Sequence, residues 1–309
     1  YYEYIGIYER TNFSLFSFPF FDAVGGTTGN EFFYASISSL FKIIGLDYTG
    51  WFVFIATVSI YIKYFLYRKL SPYIWVSILL FICFLYIKEL GQIRNALASS
   101  LVMVATYYAV QKKLYRFLAF IFIAFGVQSF SLIGLPIYFI INNRINKTLV
   151  LMFFVLLVCV GLMLDGLGSK VVMYGVGIPE DIYSKLQGYY NSGKAYGLGP
   201  LGYFYLLISF LALFFRKRIV SDPNLYGYYL VALYGISNYF LFRDIATLGS
   251  RASDMFTLSA LPIVLPILAF SFAPKYRVLI NSGTLIIGSL YFFSIVKKYP
   301  AYQSVLFLN

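Results

Sequence analysis

Apolar residues run along this chain in long blocks rather than alternating with polar ones. Nine blocks cover residues 51–67, 73–88, 92–110, 117–141, 148–164, 200–215, 225–242, 252–272 and 278–296. A helix that crosses a bilayer needs roughly 17–25 residues of this kind, and nearly all of the blocks reach that length. A membrane barrel would show segments of about ten alternating residues, and none do. The pattern predicts an all-α polytopic membrane protein, a single domain with about ten transmembrane segments.

Polar punctuation gives the orientation. Basic clusters stand at "YRK" 67–69, "QKKLYR" 111–116, "NNRINK" 142–147, "RKR" 216–218 and "PKYR" 274–277. Lys and Arg in short loops stay on the cytoplasmic side, so all five clusters are expected there. Blocks then pair as out-and-back crossings, except 117–141, which has a basic cluster at each end. Two full crossings do not fit in that length at 1.5 Å per residue. The expected solution is a broken or re-entrant helix pair turning at "VQSFS", 127–131; the alternative is one ordinary span. Irregular backbone at membrane depth survives where it is buried in protein or lines a cavity.

Residues 31–45, "EFFYASISSLFKIIG", mix Ser and Lys into an apolar face and read as an interfacial or half-inserted helix, with a true span as the alternative. Two segments are expected together on the outer side: 1–30 and 165–199. The second carries eight glycines and five tyrosines. A tyrosine ring has a flat apolar face and a polar edge, which suits stacking on a sugar; an aromatic belt at the membrane surface explains part of the same enrichment. Residue 1 is Tyr, and a preceding membrane helix is expected.

Composition narrows the chemistry. Charged residues are 12% of the 309, aromatics 21%, and the net charge is +12. Most of that excess lies in the basic loops, so nucleic acid is not the expected partner. Two cysteines, Cys83 and Cys159, both lie inside apolar blocks and suggest neither a disulfide framework nor a metal knuckle. Histidine is absent, which removes the Ser-His-Asp triad, the HExxH zinc site and the commonest general base.

Three arginines defy the orientation rule. Arg94 heads the block at 92–110, and "FRDIATLGSRASD", 242–254, carries Arg243 and Arg251 with Asp244 and Asp254. All fall near the expected outer side. A diphosphate accounts for them, because a guanidinium stays charged and binds phosphate with a planar fork. The competing explanations are snorkelling to the interface and, for Arg251 with Asp254, pairing at i, i+3 on one helix face.

The stretch 91–140 resembles the core of the EpsG-like branch of Wzy polysaccharide polymerases. "IRNALA", 93–98, is similar to that family's Arg-bearing helix, and "VQSFSLIGLP", 127–136, to its later turn. "GSRASDMFTL", 249–258, "GGTTGNEFFYASISSLFKIIGLDY", 25–48, and "KKYPAYQSV", 297–305, resemble further elements in the right order. Gln128 stands where the family usually has histidine, and it cannot act as a base.

The resemblance implies a GT-C-like membrane glycosyltransferase of the bacterial inner membrane with its active site at the periplasmic face. It would join undecaprenyl-diphosphate-linked oligosaccharide units into O-antigen, capsule or exopolysaccharide and release undecaprenyl diphosphate. No cofactor or metal is expected, and a chain-length regulator protein is a possible partner beside membrane lipid. Arg94 and Arg251 are expected at the diphosphate. Glu31, Asp254, Asp22 and Asp244 are the carboxylates available as base. Gln128, Arg243, Arg10, Tyr189, Tyr190 and Lys194 are expected to bind substrate. The rival reading is a transporter or flippase of the same lipid-linked sugar, which would share the cationic cavity; repeated halves, common in transporters, are not evident.

Overall fold

The computed structural model describes residues 32–168 and 198–297, together with residues 5, 6, 8, 9, 170 and 187. Among the described residues every regular element is helical. The first is α1 (Phe32–Ile43), followed by α2 (Tyr48–Leu70), α3 (Ile74–Phe84), α4 (Tyr86–Gly91) and α5 (Ile93–Val110). Next come α6 (Leu114–Val127), a 3₁₀ turn (Ser129–Gly134), α7 (Pro136–Asn142) and α8 (Lys147–Met163). The chain continues with α9 (Pro200–Phe214), α10 (Arg216–Ser221) and α11 (Pro223–Leu241). It closes with α12 (Ala246–Ala252), a π turn (Ser253–Leu258), α13 (Ser259–Phe270) and α14 (Pro274–Val296).

Among the described residues three helical stretches, Tyr48–Leu70, Thr247–Phe270 and Pro274–Val296, are long and apolar enough to cross a membrane by length and composition, and several shorter apolar helices accompany them. The sequence blocks are longer than these helices because breaks interrupt them. The block at 73–88 breaks at Leu85, and Gln92, non-helical at φ −133° and ψ 59°, separates α4 from α5.

The centre of the bundle is α13, buried along Ser259–Ala269 and packed against α11, α3, α5 and α14. A helix apolar on every side belongs inside. Pro262 and Pro266 lie within it. Proline supplies no amide proton to the carbonyl four residues back, and for Pro262 that carbonyl belongs to Leu258, the last residue of the π turn. Among the described helices α14 is the least buried, with Leu279, Ile286, Leu290 and Phe293 exposed, as are Val53, Tyr61 and Phe65 on α2. Apolar side chains facing outward on spanning helices are what a lipid environment requires.

The five basic clusters share one end of the bundle. Lys69 sits 4.5 Å from the Tyr107 ring centroid, Tyr138 donates to the Lys112 carbonyl, and Asn142 donates to the Ala109 carbonyl. The Lys147 ammonium stands 4.9 Å from the Tyr226 ring centroid, while Arg218 donates to the Ser271 carbonyl at 2.6 Å and Arg277 to that of Phe272 at 2.8 Å. Tyr73 meets Phe270 edge-on, joining the loop after α2 to the same end.

The hydrogen bonds from Tyr138 and Asn142 also define the segment that the topology made anomalous. The helix starting at Leu114 leaves the basic end, breaks at Gln128, and the chain returns through the 3₁₀ turn and α7 to the loop from which it set out. The arms of this hairpin pack through the Phe117 and Tyr138 rings, 5.4 Å apart.

Candidate functional site

Helix direction places the opposite end. The 18 residues of α5 span about 27 Å from Ile93 to the basic loop. Arg94, in the first turn of α5, therefore lies far from the basic clusters. By the same reasoning Arg251 lies near the start of the Thr247–Phe270 rod, whose other end meets Arg218 and Tyr73. Gln128 caps the tip of the hairpin, buried, with extended backbone.

Three elements converge here on α5. The hairpin tip and the π turn both pack against α5, and α11 packs against the π turn. Tyr234 of α11 bridges them: its hydroxyl donates to the Ile133 carbonyl at 2.7 Å and its ring meets Phe256 edge-on at 5.3 Å. A Cβ at Gly235 would stand 2.4 Å from Thr257 Oγ1 and 2.8 Å from Phe256 Cβ. Only glycine admits that approach. Thr257 Oγ1 uses it to donate to the Ala232 carbonyl at 3.0 Å.

The π turn carries Asp254, which is 3% exposed. π turns are rare and gather at functional sites, and a buried carboxylate in a membrane bundle is a functional candidate. Beside it, the Tyr205 hydroxyl of α9 hydrogen-bonds the Ser253 hydroxyl, and the Tyr205 ring meets Tyr239 edge-on. Ser259 donates back to the Asp254 carbonyl at 2.9 Å. The residues beside Asp254 are thereby fixed through the Tyr205 and Ser259 side chains.

Arg94 faces aromatic carbon: its guanidinium stands 5.6 Å from the Tyr34 ring centroid. Tyr34 in turn packs 5.4 Å from Trp51, at the start of α2. The beginning of α1 crosses the distal end of α6, where Phe33 fits the space a Cβ at Gly126 would fill. Its last turns reach Trp51 through Phe41. Both ends of α1 thus lie at the arginine-bearing end, and α1 lies across that end of the bundle.

The remaining candidates separate. Arg243 forms an ion pair with Asp165, and Asp244 accepts from the Gly168 amide at 3.0 Å. Gly166, at φ +97°, and Gly168 leave the room that Asp244 occupies. These contacts pin the start of the 165–199 segment onto the loop after α11. Glu31, Arg10, Asp22, Tyr189, Tyr190 and Lys194 lie outside the described residues.

One group escaped the sequence reading. Lys63, in the middle of α2, and Glu89, on α4, form an ion pair at 2.7 Å with exposures of 1% and 4%. The signal was present: Lys63 interrupts the apolar block at 51–67, and Glu89 stands five residues before Arg94. Among the described residues no group of three or more Cys, Asp or Glu side chains is gathered as a metal ion would require.

These features define an all-helical membrane protein whose basic loops and whose arginine-bearing helix starts occupy opposite ends. The chain belongs to the EpsG family, whose model matches residues 1–308. It is 25% identical over 266 residues to the amylovoran biosynthesis protein AmsC of Erwinia amylovora, a match covering 82% of this chain and 66% of that protein, just under two thirds of its length. No solved structure matches the chain.

Proposed function

We propose that this protein is a Wzy-type polymerase. It joins undecaprenyl-diphosphate-linked oligosaccharide units at the outer face of the bacterial inner membrane, which it crosses many times in a GT-C-like arrangement. Family membership and the likeness to a polysaccharide biosynthesis protein support the substrate class. The observation that carries the reading is the segregation of charge. The five basic clusters gather at one end, while Arg94 and Arg251 stand at the starts of helices that run back to it. Retention of positive charge on the disfavoured side calls for an anion there.

The reaction follows from the donor. A hydroxyl of the incoming unit attacks the anomeric carbon of the growing chain. A carbon–oxygen bond forms, the bond from that carbon to phosphate breaks, and its electron pair leaves on undecaprenyl diphosphate. With a good leaving group already attached, catalysis is mostly positioning and neutralisation of the departing charge. Arg94 and Arg251 carry the neutralisation. Asp254, buried on the π turn beside the Tyr205–Ser253 hydrogen bond, receives the acceptor proton. Gln128, at the hairpin tip, hydrogen-bonds the sugar or the diphosphate. Arg10, Tyr189, Tyr190 and Lys194 contribute to the substrate path, and Glu31 is a second carboxylate for the base. A chain-length regulator is a partner consistent with this reaction.

The decisive experiment supplies purified protein in lipid with lipid-linked repeat units, without ATP or metal. A ladder of products is the expected result. Repeat units that cross a liposome membrane without being joined would instead establish a flippase. Addition of a chelator is expected to leave the ladder unchanged; a loss restored by Mg²⁺ would show a metal bridging the diphosphate. Gln128→His is expected to retain polymerisation within about threefold, because the imidazole fits a role of hydrogen bonding that does not require proton transfer. Complete loss of the ladder in that variant would separate this position from the histidine usual at the equivalent turn.

A further inference from the structure

We propose that Lys63 and Glu89 are a positioning pair that sets the place of Arg94; the inference rests on the polymerase reading for its catalytic consequence. The Lys63 ammonium has five acceptors within reach: Glu89 Oε1 at 2.7 Å, Ser100 Oγ at 2.8 Å, the Ala96 carbonyl at 3.0 Å, Ser59 Oγ at 3.1 Å and Ser99 Oγ at 3.2 Å. Ser59 donates to the other Glu89 oxygen, Oε2, at 2.8 Å. With three protons, the ammonium shares its donors among these oxygens.

The geometry singles out the stretch these bonds enclose. Glu89 belongs to α4 and Ala96 to α5, and the break at Gln92 lies between them. Lys63, anchored in the long helix α2, therefore grips both sides of the break, five residues before Arg94 and two residues after it. The angle at which α5 starts, and with it the Arg94 backbone, is set from α2. Stability alone is a poor reason for such a pair. Buried ion pairs are often matched or bettered by apolar residues of similar volume, and charge within a bilayer is usually retained for function. A guanidinium that must meet a diphosphate supplies the reason, since a displacement of about 1 Å can lower turnover about a hundredfold.

The test replaces the pair without stranding a charge, using Lys63→Met together with Glu89→Met in the full chain. Folding is checked by elution profile and thermal midpoint. The expected result is turnover of lipid-linked repeat units reduced about a hundredfold, with KM within about twofold of wild type, since uniform binding is retained. A second readout does not depend on activity. In a background of Cys83→Ser and Cys159→Ser, the thiol introduced by Arg94→Cys is labelled with a membrane-impermeant thiosulfonate. Its labelling rate is expected to change about tenfold or more when the pair is replaced, in keeping with a moved backbone.

A folded double variant with wild-type turnover overturns the proposal. So does lost turnover with an unchanged labelling rate, which would show that Arg94 had not moved. If wild-type protein makes no polymer, the polymerase reading falls and the labelling rate alone decides the role of the pair. If the double variant is not recovered folded, Ser59→Ala with Ser100→Ala loosens the grip on Lys63 and carries the same readouts, with an expected loss of about tenfold in turnover.

Discussion

Arg94→Lys is expected to remove nearly all polymer, lowering turnover by about a hundredfold or more, the scale seen when one preorganised donor is removed from developing charge. The substitution keeps the charge and loses the fork. Lysine offers a compact ammonium on a flexible stem, whereas a departing diphosphate presents oxygens that a guanidinium binds in pairs. Arg94 is also committed to one place, since its guanidinium stacks near the Tyr34 ring while its backbone opens α5. An ammonium at the same position would be solvated differently and would not hold that orientation. Product ladders from purified variant and wild type measure the effect. A near wild-type ladder from Arg94→Lys would remove Arg94 from the diphosphate. Unchanged binding of the lipid-linked unit beside lost turnover would place its contribution in the transition state.

Breaking the buried pair from one side is expected to have the largest effect on stability. Glu89→Leu leaves the Lys63 ammonium inside the bundle, 1% exposed, with neutral oxygens alone around it. Removal of one partner from a buried pair typically costs about 3–5 kcal/mol. The expected outcome is a thermal midpoint lowered by several degrees, or protein that fails to accumulate in the membrane. Lys63→Met together with Glu89→Met should recover most of that loss, because no charge is left unpaired. Thermal melts of the single and double variants in one detergent make the comparison. A single variant as stable as wild type would show that Lys63 carries no unrelieved charge there, and would overturn the expected cost.

Much of the architecture was written in the spacing of apolar and basic residues. The predicted turn at 127–131 meets the observed break at Gln128 because the local arithmetic was restrictive: a basic cluster at each end and too few residues for two crossings. The helix predicted over 31–45 corresponds to α1 for a similar reason, since Ser and Lys within an apolar face mark a helix that is not fully enclosed by lipid. Arg94, Arg243 and Arg251 were legible as anomalies, positive charges on the side that the orientation rule disfavours, and Asp254 as one of the carboxylates available as base.

Other features depend on distances along the chain that no local pattern records. Lys63 and Glu89 are separated by 26 residues; each stands as a single charge at an apolar block, and their meeting depends on how α2 packs against α5. Arg243 and Asp244 looked like members of the same cluster as Arg251. The fold turns them instead toward Asp165 and Gly168, more than seventy residues earlier in sequence.

The sequence by itself therefore determined the class, the helical segments and the end of the bundle that the basic clusters share, because hydrophobic length and loop charge are local properties that the bilayer reads directly. The tertiary structure decided which polar groups meet. In a bundle where a buried charge needs a partner, the packing of one helix on another selects the partner. That selection joins Lys63 to Glu89 across the break before Arg94 and brings the hairpin tip and the π turn against α5.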